Sequence, residues 1–129
     1  MMQMVKASVT PSGSAGAAEA SVTFTPTYYG KLYAVYLNYA SGVTSVTNVD
    51  VKLADPDVAL FTKNDNATDG WWFPRWKPKS STGATWTVET AADGQKPPVF
   101  GSLILNVTSS SPTTDAVTAY VYIDEAAVS

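Results

Sequence analysis

Apolar and polar residues alternate along most of this chain with a period of two, the spacing of a strand with one face turned to a core. Residues 4–10 (Met-Val-Lys-Ala-Ser-Val-Thr) open the pattern, and Pro11, Gly13 and Gly16 interrupt it. Residues 18–25 resume it with Ala20, Val22 and Phe24 on one side, up to Pro26. The pair reads as a hairpin with a long Gly/Ser/Ala loop, or as an arm followed by a strand. Residues 30–39 form the strongest strand, with Leu32, Ala34 and Tyr36 on one face and Tyr33, Val35, Leu37 and Tyr39 on the other. Apolar residues on both faces predict a central strand covered on both sides.

Beyond the turn at 40–42, residues 46–53 set Val49, Val51 and Leu53 against Asn48, Asp50 and Lys52. A turn at 55–57 leads to a short strand over 58–62. After a polar loop (63–70) and an aromatic stretch (71–79), a strand is expected over 84–90 with Trp86 and Val88 on one face. A loop at 92–98 precedes a strand over 99–107 carrying Phe100, Leu103, Ile104, Leu105 and Val107. Residues 108–114 read as a polar turn. The last strand, 116–123, turns Val117, Ala119, Val121 and Ile123 inward and Thr118, Tyr120 and Tyr122 outward. Seven or eight strands and no helix predict an all-β fold: one antiparallel β-sandwich, jelly-roll or Ig-like, over residues 1–129, with 1–17 as an extended arm or an edge hairpin.

Composition supports this reading: 129 residues, 15% charged and 45% hydrophobic, suffice for a core without disulfides. The chain has no histidine and no cysteine. Imidazole bases, thiolate nucleophiles and the usual zinc ligands are therefore excluded. Its eleven acids show no spacing that pairs two of them for glycoside hydrolysis. The expectation is a non-enzyme without a cofactor. A net charge of −3 argues against nucleic acid as the main partner. No apolar run approaches 18 residues, and no basic-then-apolar leader opens the chain, so no membrane partner is expected.

The densest chemistry lies at 71–79, where Trp71, Trp72, Phe73, Arg75, Trp76, Lys77 and Lys79 sit together. The Trp, Phe and Arg side chains suit the centre of a protein interface, a stacking platform for sugar rings, or single-stranded nucleic acid. They also suit rings that close the sandwich core. Tyr120 and Tyr122 share one face of the last strand, as an exposed strip for a partner or as cross-strand packing. The loop starting at Asp65 fails as an EF-hand calcium loop, since Ala67 and Trp76 occupy its third and twelfth positions. The sequons at Asn66 and Asn106 are short, and Asn106 falls within an expected strand.

One resemblance spans nearly the whole chain. A Thr/Val strand (5–10) runs through a Gly/Ala-rich turn (12–18) into a second strand (21–25). A long apolar strand then begins at Gly30. An Asp-marked strand follows (Val49-Asp50-Val51-Lys52-Leu53), then Asn66-Ala67-Thr68, then Trp71-Trp72-Phe73-Pro74-Arg75, and two closing strands at 99–107 and 116–124. This order resembles small β-rich structural proteins of tailed bacteriophages. The resemblance implies a virion component on the capsid surface: a decoration or cement protein bound to the major capsid protein, with Arg75, Lys77 and Lys79 against an acidic capsid surface. It implies a homo-oligomer, with a trimer the first expectation, and no catalytic residues. The alternative is a carbohydrate-binding or tail-fibre adhesion module that takes a surface glycan.

Overall fold

The computed structural model describes residues 1–55, 57–75 and 95–125. It contains nine strands among these residues: β1 (Met2–Val9), β2 (Ala18–Thr23), β3 (Gly30–Tyr39), β4 (Asn48–Leu53), β5 (Val58–Lys63), β6 (Gly70–Trp72), β7 (Pro98–Val99), β8 (Leu103–Ser110) and β9 (Val117–Glu125). They form two antiparallel sheets packed face to face. The first has the order β1-β9-β3-β6, with β7 also on β3; the second has the order β2-β8-β4-β5. The pairs β1·β9, β2·β8, β3·β6 and β4·β5 are nested one inside the next. That is the winding of a jelly roll, a long hairpin rolled into a sandwich.

The core forms where the inward alternates of both sheets meet. Val5, Ala7 and Val9 of β1 face it, as do Val117, Ala119, Val121 and Ile123 of β9. The second sheet supplies Val49, Val51, Leu53, Leu103, Leu105 and Val107. Full burial of an aliphatic side chain contributes about 1.5–3 kcal/mol, so these alternating positions carry most of the driving force.

Four expectations need correction. β1 and β2 do not pair as a hairpin, and β1 is not an arm: β1 is the edge of the first sheet, held by β9, and β2 is the edge of the second. Only Ser12 and Glu19 bridge locally between them. The long-range partners hold far more of each strand, eight residues of β1 on β9 and five of β2 on β8, than the single local bridge across the Gly-rich loop. The face assignment on β3 also changes. A bulge between Leu32 and Ala34 leaves Tyr33 unpaired, so Leu32, Val35, Leu37 and Tyr39 share the core face. One extra residue shifts everything after it to the opposite face. The expected strand at 99–107 is two strands in different sheets. Val99 ends β7 in the first, and Gly101, at φ +89°, turns the chain into β8 of the second. Phe100 is left exposed at that crossing. The polar turn expected at 108–114 starts late, because β8 continues to Ser110, which is buried. The strand expected over 84–90 lies outside the described residues.

Candidate interaction surface

The outer face of the first sheet is built by register. Lys6 lies opposite Tyr120, Tyr120 opposite Tyr36, and Tyr36 opposite Trp71, a single row crossing β1, β9, β3 and β6. The next row holds Met4, Tyr122 and Ala34. The β3 bulge is what brings Ala34 and Tyr36 into these rows beside the outward tyrosines of β9. Ala34 is only 1% exposed although it lies on the outer face, where Tyr122 is its direct neighbour.

Six rings form one connected cluster here. Tyr36 packs on Trp71 at 4.9 Å and on Tyr120 at 5.9 Å between ring centroids. Trp71 packs on Tyr122 at 5.4 Å and lies nearly parallel to Phe73, at 6.4 Å and 16°. Phe73 meets Tyr33 edge-on at 6.0 Å. Each such contact adds about 0.5–1.5 kcal/mol beyond area burial. Even so, Trp71 and Phe73 remain 51% and 54% exposed. Cations border the rings: Lys6 over Tyr120 at 5.3 Å, with Lys96 and Arg75 over Tyr33 at 5.2 and 5.9 Å. Arg75 is held by Nη1, which donates to the carbonyls of Tyr33 and Pro74. Lys96 also pairs with Asp124 at 3.6 Å.

The short strand β6 is anchored at its start. Asp69 accepts the Tyr39 backbone N–H at 2.7 Å through Oδ1 and the Asn38 amide at 3.3 Å through Oδ2. Tyr39 then points into the core, where its hydroxyl finds no hydrogen-bond partner among the described residues. Burial pushes the Tyr39 phenol above its ordinary value. The nearby Asn66 amide, which makes no hydrogen bond of sound geometry to the hydroxyl, opposes this less strongly, and the Asp69 carboxylate adds to the rise.

Of the residues expected at the site, the structure brings Trp71, Phe73, Arg75, Tyr120 and Tyr122 onto this one face. Trp72 is turned the other way. It lies opposite Val35, packs against the core, and meets Phe61 at 5.8 Å where the sandwich closes. Gly70 makes room for it, since a Cβ there would stand 3.2 Å from the Trp72 ring. A half-exposed outward ring and a core ring thus occupy adjacent positions. Trp76, Lys77 and Lys79 lie outside the described residues. Lys6, Tyr33, Tyr36 and Lys96 join the expected residues on this face through the bulge and the long-range register; the sign of it in the sequence is the number of tyrosines on β3 and the apolar residues on both its faces.

At the Asp65 loop the polar groups close the turn on itself: the Asp65 N–H donates to Asn48, and the Asn66 amide donates to the Thr68 carbonyl. Among the described residues, no three acidic side chains gather as a metal-binding group. No family model, no curated protein and no solved structure matches the chain.

Proposed function

We propose that this is a non-enzymatic virion protein, a decoration or cement protein that docks the outer face of its first sheet onto the major capsid protein shell of a tailed phage and stabilises it. One observation carries the reading: six connected rings on a solvent-facing sheet, two of them half exposed, with three cations beside them. Rings already ordered by their neighbours lose little conformational freedom on docking, so burying their exposed halves contributes directly to affinity. The jelly roll agrees with a viral structural role, since capsid domains use this fold; that agreement is analogy from fold alone. Many copies on a repeating shell would let each contact be modest.

Co-sedimentation with empty capsid shells from the same source tests the reading. The wild-type chain should pellet with shells. The double variant Trp71→Ala/Phe73→Ala should bind at least about tenfold more weakly while keeping its β-sheet circular dichroism. A wild-type chain that stays in the supernatant sinks the proposal.

A second reading, a glycan-binding or adhesion module, is favoured by the near-parallel, half-exposed pair Trp71 and Phe73, a geometry on which sugar rings stack. Quenching of Trp71 fluorescence by a saccharide at millimolar concentration, with no shell binding, would bring that reading forward.

A further inference from the structure

Among the described residues each sheet has two edges, and three of the four are broken. The edge strand β2 carries a register shift between Ala18 and Ala20. The pairing of β5 with β4 shifts between Val51 and Lys52. The far edge of the first sheet is shared by three-residue β6 and two-residue β7. β1 differs. Met2 to Val9 pair one for one with Asp124 to Val117, with no shift, no proline and no glycine. No described strand pairs with its other side. Its outward residues include Met2 and Met4, 45% and 46% exposed, and a single charge, Lys6. Natural edges are blunted by bulges, prolines, charges or shortness, and here three edges are blunted while the fourth is regular and apolar.

We propose that β1 is the seam of a two-fold homodimer, in which two β1 strands pair antiparallel, edge to edge, with Val5 on the axis. The second copy is chosen over a foreign strand because β1 complements itself in one register. Same-face residues must meet across the seam, or Val5 and Ala7 would face outward. An axis at Lys6 sets Lys6 against its own copy, and like charges directly opposite are destabilising. Axes at Met4 or Ala7 shorten the overlap to five residues, 2–6 or 5–9. An axis at Val5 pairs residues 2–8 with 8–2 and sets Met4 against Lys6 of the partner subunit, whose aliphatic stem covers the thioether. The outward row of Lys6, Tyr120, Tyr36 and Trp71 then continues into the partner subunit's Met4 and Tyr122. The two aromatic faces become one continuous surface. This two-fold assembly stands in place of the trimer that the phage resemblance implies.

Sedimentation equilibrium of the full chain tests it without reference to shells, so its failure and that of the docking reading are read separately. The expected mass is twice the 13.7 kDa of the chain. Met4→Lys should raise the dimer Kd about 5–30-fold, because symmetry repeats the repulsion. Met4→Glu should lower it, and Met4→Lys combined with Lys6→Glu should restore it. Both side chains are exposed, so the monomer fold tolerates all three. A monomer at all concentrations, a three-fold mass, or a dimer indifferent to the charge at position 4 would overturn the proposal.

Discussion

Across the first sheet one outward row reads Lys6, Tyr120, Tyr36, Trp71; across the second, a comparable row reads Ser21, Asn106, Asp50, Thr62. The inward rows of both sheets are alike, Val and Leu interlocking in one core. The outward rows differ in what satisfies them. On the second sheet the row is polar throughout, and Thr62 donates to Asp50 at 2.7 Å. On the first sheet the rings pack on each other yet leave Trp71 and Phe73 half exposed. A face of hydroxyls and carboxylates is at rest in water; a face of half-exposed rings still has burial to gain.

Breaking the comparison starts with the neighbours Trp71 and Trp72. Trp72→Ala should cost about 2–3 kcal/mol in urea unfolding, at or below the usual range for a buried ring because Trp72 is only partly buried. Trp71→Ala removes three ring contacts of a half-exposed side chain and should cost about 1.5 kcal/mol, less than Trp72→Ala, while losing binding. Equal losses of stability would show that both rings serve the core.

A smaller effect is expected at Tyr39. Its phenol titrates higher when folded than when unfolded, so the neutral form is favoured by the fold. That stability is complete below the unfolded value of about 10 and declines as pH rises toward the folded one. Tyr39→Phe should remove this part of the alkaline decline, and near neutral pH it should leave stability within about 1 kcal/mol, since the hydroxyl it deletes has no partner. Melting curves from pH 7 to 11 would check this. Smallest of all, Asp50→Ala on the quiet face should cost about 0.5–1 kcal/mol and leave shell binding unchanged. A loss of binding there would move the docking surface to the second sheet.

How much of this was legible in the sequence depends on register. On β9 and β4 alternation runs without interruption, and the inward and outward sets read from it hold in the structure. Tyr120 and Tyr122 were therefore placed on a common face by local pattern alone. β3 and β5 each carry a bulge, which places Leu60 and Phe61 together in the core and turns Tyr36 outward. No residue type marks those bulges, because they answer to partner strands far away in sequence. Which of Trp71 and Trp72 faces outward is set by their pairing with β3, which lies far away in sequence.

The nested winding also sets the order in which the chain can assemble. β4 and β5 are joined by a short turn and can meet early, whereas β2 waits for β8 and β1 for β9. Each outer pair closes a longer loop, and its entropy is offset only once the inner pairs have shortened the path. Folding dominated by such distant pairings takes milliseconds to seconds rather than microseconds. Throughout that interval β1 has both of its edges bare. A regular, proline-free strand left unpaired until last is the segment through which crowded, half-folded chains would join wrongly, so the rate at which β9 arrives governs how much of the protein reaches its native form.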